Sequence, residues 1–209
     1  MEQIFHTKLE LGAWHNVLLT SAGFEDLSGR QKTNIVRRFH KMLQIPPHAA
    51  KVLFIPTAAI DKESRFYAAK CHRELLHAGI PEENITTYEL APGFPEQAGL
   101  QYDILYFTGG DTRYLHRRIR ETDFAHVIYS MVSSNKVYVG VSAGSIVTTP
   151  HIGEPFGTAT EGLNLIRAYL SVHQPEGTTP RTDLPLPHIP LTDKQALAVS
   201  HTGYEFLEN

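Results

Sequence analysis

A serine flanked by glycines is the first feature of this sequence that could do chemistry. It lies in Gly140-Val141-Ser142-Ala143-Gly144, at the end of an apolar run. A tight turn between a buried strand and a helix would project the Ser142 hydroxyl into open space, and the glycines would relieve crowding. Backbone N–H groups at the start of that helix would stabilise an oxyanion. The pattern predicts a nucleophile elbow, with an ordinary glycine-rich turn as the alternative.

A glycine pair, Gly109-Gly110, follows another apolar run. The carboxyl ends of parallel strands share one edge of a sheet, so this pair would lie near Ser142. Because glycine has no Cβ, its N–H can approach a substrate oxygen closely. We therefore expect the N–H groups of Gly110 and Ala143 to form an oxyanion hole. An anion-binding turn before a helix is the alternative, although the chain lacks the Lys-Ser/Thr pair and third glycine of a nucleotide-binding loop.

The serine needs a base, and the candidates are histidines that follow it in the chain. His173 comes directly after the apolar segment 168–172, so it would lie at a strand end and could face Ser142. His151, His188 and His201 lie in less constrained stretches. His173 is therefore the predicted general base, with a structural polar histidine as the alternative.

The elements that must position these residues alternate between strands and helices. Short apolar runs predict strands at 16–20, 51–56, 85–90, 103–107, 137–141 and 195–199. Amphipathic stretches predict helices at 31–43, from the cap Asp61 to 78, after 112, and at 124–132. This alternation indicates an α/β fold of three layers, a mostly parallel sheet with helices on both faces. We expect one domain over 1–209, with the proline-rich residues 174–190 as a long surface loop.

Composition narrows the possible functions. The formal net charge of −3 predicts no attraction to nucleic acid or to an anionic membrane. The single cysteine, Cys71, excludes an internal disulfide and lies within a predicted helix, which indicates a core residue. Residues 1–11 lack the apolar core of a secretory signal, and no stretch is long enough to span a membrane. The histidines show no metal-binding spacing. We expect a cytoplasmic protein without metal or other cofactor.

Three motifs in register resemble the peptidase E (aspartyl dipeptidase) family of serine peptidases, which includes the cyanophycinases. They are Phe107-Thr108-Gly109-Gly110-Asp111-Thr112-x-x-Leu115, the Gly140–Gly144 elbow, and Gly162-Leu163-x-Leu165 leading to His173. Their order and spacing agree over roughly residues 52–199. The resemblance implies a flavodoxin-like fold similar to class I glutamine amidotransferases. It also implies Ser142 as nucleophile, His173 as base, Gly110 and Ala143 as oxyanion donors, and dipeptides with N-terminal aspartate as substrates.

The chain departs from the family around the substrate. The resemblance places Asp111 and Thr112 there, and the family usually has Asn at the position of Asp111. An added carboxylate would repel an aspartyl side chain. The family often has an arginine-bearing helix after the histidine, where this chain has its proline-rich loop. Arg181 is the only arginine or lysine between His173 and Lys194, and it is therefore the predicted contact for an acidic side chain.

The third catalytic member is a further departure. The family has a Glu before a glycine near the end of the domain, where this chain has His201-Thr202-Gly203. Glu205 or Asp193 could replace this acid, or Ser142 and His173 could act as a dyad with a backbone carbonyl orienting the ring. The predicted function is a serine exopeptidase for small peptides, acting as a monomer or homodimer. The alternatives are an esterase or isopeptidase, and a binding protein that has kept the fold without activity.

Overall fold

The structure, a computed structural model, describes residues 16–152, 160–200 and 203–209. The amino-terminal segment in which we expected no secretory signal, and the His201-Thr202 positions, lie outside the described residues. None of the helices in the described ranges combines the length and apolar character that crossing a bilayer requires.

The described residues form a seven-stranded sheet, two small two-stranded sheets and six α-helices. The strands are β1 Val17–Thr20, β2 Val52–Ile55, β3 Ile85–Thr87, β4 Ile104–Phe107, β5 Val137–Val141, β6 His151–Ile152, β7 Thr160–Glu161, β8 Tyr169–Ser171, β9 His188–Pro190, β10 Gln195–Ser200 and β11 Gly203–Glu208. The helices are α1 Thr33–Met42, α2 Lys62–His77, α3 Glu96–Gly99, α4 Thr112–Glu121, α5 Ala125–Ser133 and α6 Ala143–Ile146.

The main sheet has the order β11-β10-β1-β5-β4-β2-β3. The five strands from β1 to β3 in this order run parallel to one another, whereas β10 is antiparallel to β1 and β11 to β10. Every residue of β1, β2, β4 and β5 is buried. Continuous burial of this kind is typical of parallel strands covered on both faces. The predicted mostly parallel sheet is confirmed.

Alternate strand residues face two separate hydrophobic cores. On one face, Leu18 of β1 belongs to a core that includes Phe39 of α1 and Leu75 of α2. On the other face, Leu19 belongs to a core that includes Ile128 of α5, together with residues of α4 and α6. The period of two along each strand therefore divides its apolar side chains between two helical layers. The predicted three-layer α/β fold is confirmed.

Side-chain caps begin the helices that follow β2 and β4. Asp61 accepts a hydrogen bond from the Ser64 N–H at 2.8 Å, as predicted, and α2 starts at the next residue. Asp111 accepts from the Tyr114 N–H at 2.8 Å and begins α4 in the same way. Caps of this type stabilise a helix by about 1 kcal/mol. They also place both helix starts at the carboxyl edge of the sheet.

Two sequence-based element predictions were wrong in part, and one strand of the main sheet was missed. Strand β3 ends at Thr87, because the Leu90 N–H turns away to donate to Thr57 Oγ1 at 3.0 Å. The loop predicted for 174–190 ends in β9, which pairs in parallel with β8 and tolerates Pro190 at its last position. Strand β11 was not predicted, because it is an edge strand in which only Leu207 is buried and which therefore shows little apolar patterning.

Candidate active site

Ser142 lies on a sharp turn between β5 and α6. Its backbone angles are φ 48° and ψ −105°, which are unusual for a residue other than glycine and typical of strained functional turns. The turn is held from both sides. The Ser142 N–H donates to the Thr20 carbonyl of β1 at 3.0 Å, and the Ser145 N–H donates back to the Ser142 carbonyl at 2.9 Å. The side chain of Ser142 is thus presented at the carboxyl end of the central strand.

The two glycines of this elbow are required by close backbone packing. A Cβ on Gly140 would lie 2.5 Å from the carbonyl oxygen of Gly144. A Cβ on Gly144 would lie 2.5 Å from the carbonyl oxygen of Phe107 in β4. Both distances are well inside van der Waals contact, so the turn can form over β4 only if these positions lack side chains.

His173 follows β8 and faces the serine. Its Nε2 lies 2.9 Å from Ser142 Oγ, and its Nδ1 lies 2.6 Å from Asp193 Oδ1. If Nδ1 carries the proton and donates to the carboxylate, Nε2 is left as an acceptor for the serine hydroxyl. The three side chains form a continuous hydrogen-bonded row, although they come from β5, the end of β8 and the turn between β9 and β10.

Asp193 is held as a carboxylate by two donors. Burial raises the pKa of Asp193, but the hydrogen bonds from His173 and Ser21 outweigh that effect and hold the pKa below its usual value. Ser21 Oγ lies 2.9 Å from the same Asp193 oxygen that contacts His173. At neutral pH, Asp193 can therefore orient the imidazole and stabilise its protonated form.

Glu205, the other acid considered from the sequence, lies elsewhere. It belongs to β11 and forms an ion pair with Arg38 Nε of α1 at 2.7 Å. Of the two candidate acids, the structure brings only Asp193 to His173.

Two further histidines considered as bases have other surroundings. His188 Nε2 lies 2.8 Å from Ser171 Oγ, and its Nδ1 accepts from the Arg181 N–H at 3.0 Å. The ring of His151 stacks against Tyr169. His201 lies outside the described residues. Of the described candidates, His173 is the one that contacts Ser142.

The Gly109-Gly110 pair lies beside the nucleophile. A Cβ on Gly109 would lie 3.2 Å from Ser142 Cβ, and a Cβ on Gly110, whose φ is 138°, would lie 2.0 Å from the Ala58 carbonyl oxygen. Across the described ranges, neither the Gly110 N–H nor the Ala143 N–H donates to an acceptor of the protein. Both donors predicted for an oxyanion hole are therefore available to a substrate oxygen.

A cavity of about 800 Å³ opens in front of Ser142. This volume lies within the range of small-molecule sites, roughly 300–1,000 Å³. Its walls come from the loop after β1, the start of α2, the Gly109-Gly110 turn, His173 and Asp193. Several carboxylates line it, and they are Glu25, Asp26, Asp61, Glu63, Glu74 and Asp193.

Two lysines also line the cavity, but each is bound to a carboxylate. Lys70 Nζ lies 3.0 Å from Glu74 Oε1, and Lys194 pairs with Glu176. The remaining carboxylates outnumber the cations. We infer that the lining carries an excess of negative charge.

The residues predicted to bind substrate are not among the described residues that line this cavity. Asp111 caps α4, and Thr112 is the first residue of that helix. Arg181 is engaged by both carboxylate oxygens of Asp183 on the proline-rich loop. Their contact with substrate stays a prediction.

Other reactive groups were also located. Cys71 is buried, as predicted, and burial raises the pKa of its thiol to about 12, which makes it a poor nucleophile. In the part of the chain that the structure describes, no group of three or more His, Cys, Asp or Glu side chains is arranged to hold a metal ion.

Comparison with known proteins shows where the chain belongs. The model of peptidase family S51 matches residues 17–202. The chain is a member of peptidase family S51. It is 29% identical to an uncharacterised peptidase of Listeria monocytogenes over 137 residues, 66% of this chain and 62% of the relative. It is also 28% identical to Peptidase E of a Nostoc species over 138 residues, 62% of this chain and 54% of that protein.

Solved structures show the same fold. The S51 chain superimposes on the crystal structure of a candidate peptidase E protein from Listeria monocytogenes with a TM-score of 0.73 and 22% identity, covering 94% of this chain and 99% of the other. A peptidase from an acI-B1 Actinobacterium gives a TM-score of 0.65 at 18% identity, covering 96% and 90%. The chain spans about half to three fifths of the length of the curated relatives it matches. The predicted peptidase E resemblance is confirmed.

Sequence reasoning missed Ser21 as a member of this S51 site. Ser21 directly follows β1, which is the parallel neighbour of β5 in the sheet. A serine at that strand end shares the carboxyl edge with Ser142, which is the signal that could have identified it.

Proposed function

We propose that this protein is a serine peptidase that hydrolyses short peptides. In this proposal Ser142 is the nucleophile, His173 the general base and Asp193 the orienting acid. The observation that carries it is the unbroken row of contacts, 2.9 Å from Ser142 Oγ to His173 Nε2 and 2.6 Å from His173 Nδ1 to Asp193 Oδ1. Membership of a peptidase family supports the same reaction class.

The first half of the reaction forms an acyl-enzyme. Ser142 Oγ attacks the peptide carbonyl carbon while His173 Nε2 takes the hydroxyl proton. The N–H groups of Gly110 and Ala143 then bind the oxyanion of the tetrahedral intermediate, a contact worth about 10²–10³ in turnover per donor in other serine hydrolases. His173 gives its proton to the leaving amine as the C–N bond breaks.

The second half releases the acid product. A water molecule gives a proton to His173 Nε2 as its oxygen attacks the ester carbon, and the same oxyanion donors act again. When the intermediate collapses, Ser142 Oγ leaves and recovers the proton from His173. Asp193 keeps its charge throughout and stabilises the imidazolium that forms in each half.

The charge of the cavity bears on which peptides are cleaved. Of the lining carboxylates, Asp61 and Glu63 are exposed and Asp26 is partly exposed, and both lining lysines are paired. An aspartyl side chain in this cavity would meet like charge. We therefore propose short peptides with neutral or basic residues as better substrates than dipeptides with N-terminal aspartate.

A dipeptide panel combined with an active-site probe tests the function. The panel contains α-aspartyl, β-aspartyl, neutral and basic dipeptides, and a fluorophosphonate reports a reactive serine. The native protein is expected to hydrolyse the neutral and basic members and to be labelled, whereas Ser142→Ala should lose both properties with little change in its thermal midpoint. Ser133→Ala, an exposed serine of α5, serves as the matched control.

Each contrary result has a distinct meaning. Hydrolysis retained by Ser142→Ala would exclude the assigned nucleophile. Labelling with cleavage of esters but not of dipeptides would indicate an esterase, and cleavage limited to β-aspartyl dipeptides an isopeptidase. A native protein that is neither labelled nor active would favour the non-catalytic binding protein.

A further inference from the structure

Ser21 connects the base and the acid of the proposed site. Its Oγ lies 2.7 Å from the main-chain nitrogen of His173 and 2.9 Å from Asp193 Oδ1. It also lies 3.4 Å from His173 Nδ1. One buried hydroxyl at the end of β1 thus contacts two residues that lie more than 150 positions further along the chain.

The hydrogen atoms can be assigned from these contacts. The main-chain N–H of His173 can only donate, so Ser21 Oγ is its acceptor. The Ser21 hydroxyl then directs its own hydrogen to Asp193 Oδ1. His173 Nδ1–H donates to that same oxygen at 2.6 Å. Two donors therefore converge on one carboxylate oxygen, which fixes its direction relative to the imidazole.

The backbone of His173 is unusual in a way that this contact explains. Its φ is 56°, in the left-handed region that residues other than glycine rarely adopt. A conformation of this kind persists where the surrounding structure enforces it. The hydrogen bond from the His173 N–H to Ser21 Oγ supplies such a constraint at the residue that carries the base.

Hydrogen bonds hold the loop that begins at Ser21. The Gly23 N–H donates to Thr20 Oγ1 at 3.0 Å, and Phe24 N–H donates to Glu74 Oε2 at 2.7 Å. The ammonium of buried Lys32 donates to the Gly23 carbonyl at 3.0 Å. The loop that follows Ser21 is therefore fixed to α2 and to Lys32. These contacts keep the Ser21 hydroxyl in place at the end of β1.

We infer that Ser21 is a positioning residue for acyl transfer, which holds the His173 main chain and the Asp193 carboxylate so that Nε2 faces Ser142. The inference rests on the proposed function. Ser21 transfers no proton and forms no bond to substrate. Its effect is on turnover rather than on substrate affinity, because it acts through the orientation of His173.

Substitution of Ser21 tests this role. Ser21→Ala removes a hydrogen bond to the charged Asp193 carboxylate. Because such bonds contribute strongly, the substitution should lower kcat about 10- to 100-fold, with KM within about twofold of native. Ser21→Thr keeps the oxygen and should restore most of kcat. Ser171→Ala is the matched control, because Ser171 precedes His173 by two residues but bonds to His188; it should leave kcat unchanged.

A second measurement does not depend on turnover. The proton on His173 Nδ1 should give a low-field NMR resonance in the native protein, and this resonance should broaden or move upfield in Ser21→Ala. If Ser21→Ala does not fold, Ser21→Cys replaces it, because cysteine is close to serine in size but has a weaker hydrogen-bond donor. Its kcat should lie between the native value and the loss of about 10- to 100-fold expected for Ser21→Ala.

The outcomes separate the two proposals. Unchanged kcat and an unchanged resonance in a folded Ser21 variant of an active enzyme would overturn the positioning role and leave the serine peptidase intact. A KM increase without loss of kcat would also overturn it. A native protein without activity would refute the peptidase and with it the role in acyl transfer; a resonance that still depended on Ser21 would leave only the orientation of His173 by Ser21.

Discussion

Removal of the Asp193 carboxylate is the sharpest test of the proposed triad. In Asp193→Ala, His173 Nδ1 loses its 2.6 Å partner. Ser21 Oγ, at 3.4 Å from Nδ1, is the neighbouring group that remains. The imidazole can then rotate or adopt the other tautomer, in which Nε2 carries a proton and cannot accept one from Ser142. We expect folding to be largely retained, because Asp193 lies on a turn at the rim of the cavity.

The expected loss of kcat in Asp193→Ala depends on how exposed the side chains of His173 and Asp193 are. In a buried triad, loss of the acid's charge lowers kcat by about 10⁴. Here the side chains of His173 and Asp193 are 50% and 57% exposed, so water can partly replace the carboxylate. A hydrogen bond between charged groups is worth about 1.5–3 kcal/mol, which corresponds to roughly 10- to 150-fold. We therefore expect kcat to fall about 100-fold, well short of the buried case.

The assay is steady-state hydrolysis of the best dipeptide of the panel, with the rate of fluorophosphonate labelling as an independent measure of serine reactivity. Glu205→Gln is the control, because Glu205 carries the same charge but pairs with Arg38. It should keep native kcat. If Asp193→Ala retains more than half of native kcat, the orienting acid is wrongly assigned and a Ser-His dyad is favoured. If Glu205→Gln shows the larger loss, Glu205 is the acid.

Two other predictions concern stability. Gly144→Ala should lower the free energy of unfolding in urea titrations by about 1–3 kcal/mol and slow fluorophosphonate labelling, because its Cβ would overlap the Phe107 carbonyl. The control Gly93→Ala has nothing within 4 Å of the added Cβ, so it should lose stability only through its φ of 86° and keep the native labelling rate. Equal loss of labelling in both variants would refute the packing argument. Burial lowers the pKa of Lys32 from 10.5 to about 8, so the folded protein releases this proton before the unfolded chain does. The free energy of unfolding of the native protein, compared with that of Lys32→Met, should therefore rise between pH 8 and 10.5 by at most about 3 kcal/mol. Urea titrations at several pH values measure it. A difference between the two proteins that stays constant over this range would contradict the lowered pKa of Lys32.

The turn at Ser142 and the histidine that faces it could be predicted from the sequence because each is marked locally. Ser142 follows a buried strand and lies between two glycines, and His173 follows an apolar segment. The alternation of strands and helices predicts the fold for the same reason. The details that failed, such as β11, lie at an edge where the sheet imposes little apolar patterning.

The acid and its serine partner could not be chosen from local patterns. Strand β10 is antiparallel to β1, with Thr20 opposite Ala196. The residue after Thr20 and the turn just before β10 therefore meet at one edge, which brings Ser21 to Asp193. That encounter depends on strand order and register, which no short motif encodes. Glu205 and Asp193 were consequently indistinguishable in the sequence, and the register separates them.

The proline-rich loop has a consequence for how the chain could be divided. Residues 174–187 are mostly exposed and connect His173 to β9. A break in this loop would leave the nucleophile and base on one polypeptide and Asp193 on the other. The β8–β9 and β1–β10 pairings would still join the two pieces. The chain could therefore be produced as two separate pieces, one ending and one beginning within this loop. Under the proposed function, recovered hydrolysis would report that the two pieces have reassembled.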